Sequence, residues 1–304
     1  MKSKFIPPKD PSIGIVGNMA KPSTCEIAYA LIKILKERGI RFSVQSEIAA
    51  RMKETCNYDA KESVLQLSEI PGRSDIIVSL GGDGTILRTA KLVGDTGKPI
   101  LGINLGKLGF LAELNFDELR DSIDELFKGK FNIEERTTLL ATFVRNDEMS
   151  TIFALNDIVI DKAGSPRMID LETYVDSEYL ITYRADGIVI STPTGSTGYS
   201  LSTGGPIISP GSRVIAISPI SPHTLTARPV IVPDSSEIRI MVRSTSKQIT
   251  VTADGQVSHL LAQPAEVRVA LAPHKVRLLR KSKNGFFNLL RTKLMWGVDI
   301  RAEQ

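Results

Sequence analysis

Four short apolar or β-branched runs, SIGIVGN (residues 12–18), RFSVQ (41–45), DIIVSL (75–80) and PILGIN (99–104), alternate with stretches of helical character in the first part of the chain. That alternation constrains the fold more than any other feature. Strands joined by helices pair in parallel through crossover connections that lay the helices on the sheet. The stretch 23–39 predicts a helix that opens with Ser23 and Glu26 in capping-box spacing and closes at Gly39. Further helices are expected near residues 60–70, after Gly84 and over 116–130. The expected architecture over 1–126 is an α/β domain with a Rossmann-like parallel sheet. Its ligand belongs at the carboxyl ends of the strands, where VGN, GGDGT and NLGKLGFL fall.

Beyond this part the texture changes. Short alternating or β-branched runs dominate, among them TTLLATFV, FALNDIVID, IDLETYVD, GIVIST, RVIAIS, EIRIMV, QITVTAD and EVRVALA, with Gly, Pro, Asp or Ser at the turns between them. They predict a β-rich, antiparallel, sandwich-like domain over 127–282. Residues 283–304 hold FFNLLRTKLMW, whose helical apolar spacing behind Asn284 as a cap predicts a terminal helical segment.

With 304 residues the chain can bury two ordinary cores. A 42% hydrophobic and 24% charged composition fits a globular protein in water, no run reaches the ~20 apolar residues of a membrane helix, and MKSKFIPPKDPS has no apolar leader core. A cytoplasmic protein without a membrane partner is expected. Cys25 and Cys56 form no metal-like or disulfide pattern, and the three histidines are too far apart in sequence to suggest a metal site. The net charge of +4 comes from scattered Lys and Arg, which argues against a nucleic-acid partner and suits a ligand bearing phosphates.

Three stretches carry chemistry. In VSLGGDGTIL (78–87), Gly81, Gly82 and Gly84 surround a single carboxylate, Asp83, between a strand and a helix. The stretch reads either as a tight turn that needs positive φ with Asp83 as helix N-cap, or as a backbone cradle for an anion. The Ser/Thr/Gly-rich run within 184–207, with Tyr199 in it, reads as a linker or as a hydroxyl-lined site for a purine or polyhydroxyl ligand. Asn156 and Asp157 interrupt a strand pattern, either as an Asx turn or as an amide and a carboxylate facing an adenine edge and ribose hydroxyls. The ADGQ at 253–256 reads by itself as an ordinary hairpin turn. GxxxxGK[ST], GxGxxG and GxSxG are all absent, so GGDGT is the one good phosphate cradle.

Taken in order, GGDGT (81–85), NLGKLGFL (104–111), ND (156–157), DGIVISTPTGSTGYSLSTGGPI (186–207), HTLTARPVIV (223–232) and DGQ (254–256) resemble the signatures of NAD kinases. These enzymes phosphorylate the 2′-hydroxyl of the adenosine ribose of NAD to give NADP. The resemblance implies the NAD kinase/diacylglycerol kinase-like fold, with NAD bound between an α/β and a β-rich domain and a last segment returning to the first. It implies that Asp83 is the catalytic acidic residue and that Gly82 and Gly84 cradle the phosphates of a donor, ATP or another nucleoside triphosphate or polyphosphate. Mg²⁺ or another divalent cation would be held mainly by those phosphates, and no protein metal site is implied. Asn156 and Asp157 would meet the adenosine ribose. Thr194, Thr197, Gly198 and Tyr199 would line the adenine side, and Ser200 and Leu201 would continue that binding run. Asp186 and Ser202 would serve the nicotinamide side, Asp186 reaching across from a neighbouring subunit of a homo-oligomer, a dimer or tetramer. Arg88, Arg167, Arg184 and Gln256 fall at further ligand-contact positions. Gly198 departs from a more usual Ala. Two rivals share parts of the pattern: a lipid kinase of the diacylglycerol or sphingosine type, which would need an apolar acceptor cleft, and a non-catalytic NAD-binding regulator, which would tolerate the loss of Asp83.

Overall fold

The computed structural model describes residues 2–106, 109–243, 248–281 and 285–296. It divides into two compact units, one made of residues 1–135 with 277–304 and the other of 136–276.

The first unit is built on a nine-stranded sheet. Its parallel centre runs Ile100–Asn104, Ile76–Leu80, Ser12–Gly17, Arg41–Gln45 and Val64–Leu65. All five residues of Ile76–Leu80 and of Ile100–Asn104 are buried, as continuous apolar runs require when helices cover both faces. Helix Thr24–Glu37 turns Ile27, Leu31, Ile34 and Leu35 inward at helical spacing and shares one core with Ile15, Val78 and Leu101.

The second unit holds two six-stranded antiparallel sheets. One runs through Leu139–Arg145, Ala265–Leu271, Ile238–Arg243 and Ile169–Val175, the other through Val214–Ile220, Gly187–Ser191, Asp157–Asp161 and Gln248–Ala253. Their inward residues, including Phe143, Ile160, Ile188, Ile240 and Val251, form a single core, so the expected sandwich is present.

Several expectations need correction. The break falls at 135/136 instead of 126/127, and the return begins at 277 instead of 283. The reason is pairing: Phe131–Arg136 and Val276–Lys281 are neighbours in the first unit's sheet, next to Ile100–Asn104. The stretch near 60–70 is not one helix but short 3₁₀ turns at Lys61–Ser63 and Leu67–Glu69 around the two-residue strand Val64–Leu65, leading into Ile70–Arg73. A helix over Ser46–Thr55 precedes it, which the polar sequence hid. Ser23 makes no side-chain cap bond. Helix Phe286–Leu294 forms as expected, while Asn284 lies outside the described residues.

Candidate functional site

The strand Ile76–Leu80 ends at Gly81, and helix Asp83–Val93 starts with Gly82 as its N-cap. None of Gly81, Gly82 or Gly84 has positive φ, so a left-handed turn does not explain them. Gly81 answers to packing, since a Cβ there would stand 2.1 Å from Thr85 Oγ1. At Gly82 and Gly84 a Cβ would meet nothing within 4 Å. Open space in front of a helix N-terminus is where an anion approaches first-turn N–H groups.

Asp83 is the first helical residue and does not cap the helix. Its carboxylate instead accepts the Phe110 N–H at 2.8 Å and the Leu111 N–H at 2.9 Å, one on each oxygen. Gly109 permits this, because a Cβ there would fall 1.8 Å from Asp83 Oδ1. The glycine-rich loop after Asn104 is thus a clamp on the acidic side chain, and its residues 107–108 lie outside the described ones. A carboxylate oxygen has two lone pairs, so each keeps acceptor capacity for a hydroxyl. Arg88 follows five residues on, roughly 140° around the helix. It lines a different pocket of about 320 Å³ with Asn18, Gln45 and Thr85.

In the second unit a pocket of about 330 Å³ brings together Asn156, Asp157, Tyr199, Thr252 and Asp254. Asp254 opens the hairpin after Gln248–Ala253 at φ +52°, a conformation that Asp tolerates better than most residues. Its carboxylate accepts the N–H groups of Leu155 (2.9 Å), Asn156 (2.6 Å) and Asp157 (3.3 Å), holding the Asn-Asp turn from below. Asp157 is 4% exposed. Burial first, and the Asp254 charge second, push its carboxyl up to about 7. Asn156 Oδ1 is buried with no hydrogen-bond partner among the described residues. An orphaned buried acceptor of this kind fits a ligand that donates to it.

The Ser/Thr/Gly run is no linker. Thr192 donates its N–H to Asn156 O (2.9 Å) and its hydroxyl to Leu155 O (2.7 Å). Gly195 lies so near that a Cβ would be 2.1 Å from Asn156 O. A Cβ on Gly198 would lie 3.5 Å from Asn156 Nδ2. Most hydroxyls here serve the turn itself: Ser196 donates to Pro193 O (2.7 Å), Thr197 to Thr194 O (3.3 Å) and Thr203 to Ser200 O (2.9 Å). Thr194 is buried and accepts from Arg136 at 3.3 Å, and Ser200 is buried beside Ser218. Tyr199 is the large apolar face left open, 45% exposed. Leu201 is half-buried and the next residue, Ser202, is exposed.

The structure therefore gathers Asn156, Asp157, Gly198 and Tyr199. Arg167, Arg184 and Gln256 are exposed and do not line that pocket. Asp186 precedes strand Gly187–Ser191, whose far end pairs with Asp157, and it is ion-paired with Lys162 Nζ at 2.6 Å. Sequence reasoning passed over Asp254, Lys162 and the amides of Phe110 and Leu111. Only Asp254 and the 104–111 loop carried a signal, as parts of motifs.

Two family models match the chain: the ATP-NAD kinase N-terminal domain over residues 13–131 and the ATP-NAD kinase C-terminal domain over 155–281. An NAD kinase of Moorella thermoacetica is 43% identical over 285 residues, covering 94% of this chain and 89% of the relative. One from Geobacter sp. (strain M21) is 42% identical over 287 residues, covering 94% and 98%. Among solved structures, yeast NADH kinase complexed with NADH superposes with a TM-score of 0.88 at 29% identity, covering 100% of this chain and 96% of that one. Matched along nearly its whole length by relatives above 40% identity, and at both domains by the family's models, the chain belongs to the NAD kinase family of phosphotransferases.

Proposed function

We propose that this chain transfers the terminal phosphoryl group of ATP to the 2′-hydroxyl of the adenosine ribose of NAD, with Asp83 accepting the hydroxyl proton. The observation that carries the reading is the carboxylate of Asp83, withdrawn from helix capping and clamped by two loop N–H groups beside glycines that leave open space. Phosphoryl transfer has a loose transition state, so a fixed acceptor and charge neutralisation carry most of the catalysis. Gly82 and Gly84 admit the donor's phosphates to the helix N-terminus. Arg88, in the pocket that also holds Thr85, supplies positive charge toward phosphate. The pairing of Asp157 with the unpartnered Asn156 Oδ1 suits ribose hydroxyls and the adenine amino group, and Tyr199 offers a face for stacking. Thr194, Thr197, Gly198 and Ser200 act mainly by shaping the turn that backs Asn156, and Leu201 continues it through its N–H to Gly198 O at 3.1 Å.

A divalent cation fits this arrangement as cargo of the donor's phosphates. Among the described residues no group of three His, Cys, Asp or Glu stands ready to ligate a metal. The cation would neutralise charge on the transferred group. Arg167, Arg184, Asp186, Ser202 and Gln256 belong to the nicotinamide half of the reading. Asp186 and Asp157 stand at opposite ends of a strand pair, roughly 15 Å apart at ~3.3 Å per residue. That separation supports Asp186 serving a neighbouring copy in a dimer or tetramer with shared sites. Among the described residues no helix is long and apolar enough to cross a membrane, and the setting proposed is the cytoplasm.

The test is Asp83→Asn. The amide keeps the size and one accepting oxygen but is a poor proton acceptor and faces one of the two loop N–H groups with its NH2, so kcat should fall ~10² to 10⁴-fold with NAD affinity little changed and the melting temperature lowered. Near-wild-type kcat would leave GGDGT a turn and nothing more.

A further inference from the structure

Asp83 is held by a segment that is itself held by the returning strand. Residues 110–113 run beside the first unit's sheet, where Glu113 N–H donates to Gly102 O at 3.0 Å. The close approach depends on Gly102, whose Cβ would sit 3.1 Å from Ala112 Cα. Against this segment lies Arg280 of strand Val276–Lys281, 7% exposed. Its guanidinium donates to Phe110 O (2.9 Å), Ala112 O (3.2 Å) and Glu113 Oε2 (3.0 Å), and its Nε lies 3.7 Å from Glu134 Oε2. The other oxygen of Glu113 accepts the Lys281 N–H at 2.8 Å. Phe110 is thus gripped at both ends of its backbone, its carbonyl by Arg280 and its N–H by Asp83.

We infer that Arg280 and Glu113 are positioning residues for the phosphoryl transfer, setting the carboxylate of Asp83 through the 110–111 amides. The inference rests on the reading of Asp83 as proton acceptor. A planar fork reaching three oxygens at once is what guanidinium supplies and ammonium does not. A pair that served only the sheet would need no contact with Phe110 O or Ala112 O. Reacting groups displaced by about 1 Å lose about 10²-fold in rate, so a small shift of this segment is enough to act on turnover.

The experiment is a double-mutant cycle on the full chain with ATP and NAD, using Arg280→Lys, Glu113→Gln, Asp83→Asn and the combinations with Asp83→Asn. Arg280→Lys and Glu113→Gln should each lower kcat ~10 to 100-fold with the KM for NAD unchanged, because the residues assigned to the adenosine, Asn156, Asp157 and Tyr199, are left intact. On the Asp83→Asn background neither should lower kcat further, since the group they position is already lost. Multiplicative losses, or a lowered melting temperature with full kcat, would overturn the assignment and leave a structural ion pair. If Arg280→Lys does not fold, Glu113→Gln carries the same cycle. Wild-type kcat in Asp83→Asn alone would overturn the parent reading, and that result is read from a separate variant.

Discussion

Asp157 shows most directly what one residue's surroundings do. As an isolated letter it is an ordinary carboxylate. In the fold it is buried, beside Asp254, with its carboxyl pushed from 3.8 up to about 7. The folded chain therefore binds that proton more tightly than the unfolded chain, and the stability it contributes is present at low pH and lost as pH rises through about 7. Melting curves from pH 5 to 8 should show the wild type losing more stability than Asp157→Asn, and parallel curves would refute the shift. Asp83 and the Asn156–Asp157 pair were legible in the sequence because charged or amide groups stood out inside glycine or strand patterns. The bracing role of Asp254 was not, although it stood in the DGQ motif, because DG in a hairpin is common and its three amide contacts come from residues about a hundred positions away.

At the scale of elements, Ser23 illustrates a correct helix begun for the wrong reason. The S-x-x-E spacing at Ser23 and Glu26 marks the N-terminus, yet Ser23 lies in the helical region at φ −71°, ψ −7°, and its hydroxyl does not cap. The Thr24 N–H donates to Lys21 O at 3.2 Å, and the Thr24 hydroxyl ties back to Asn18 O at 2.6 Å. Ser23→Ala should therefore cost less than ~0.5 kcal/mol in urea unfolding, where a working cap costs ~1 kcal/mol. A larger loss would mean the hydroxyl caps in solution. Strand texture in the second half was equally legible, but texture is local: it does not say which sheet a strand joins. Residues 131–136 and 276–281 fall within the span 127–282 expected for the β-rich domain, while backbone pairing puts Phe131–Arg136 and Val276–Lys281 in the first unit's sheet.

At the scale of the whole molecule, the ion pair of Asp186 with Lys162 at the far end from Asp157 bears on assembly. If Asp186 completes a neighbour's site, mixing inactive Asp186→Ala and Asp83→Asn subunits should restore measurable activity through hybrid sites, up to about a quarter of wild type for randomly mixed dimers. No recovery, or a fully active monomer in sedimentation, would remove the shared site. Motif order and the periodicity of apolar residues determined by themselves the family, the two fold classes and the acidic residue at the turn, because those depend on neighbours a few positions apart. The tertiary structure decided which strands close which sheet, that Asp83 is clamped instead of capping, that Asp254 braces Asn156 and Asp157, and that Arg280 reaches Phe110. Each of these joins groups tens to hundreds of residues apart, and only chain packing brings such groups within hydrogen-bond distance.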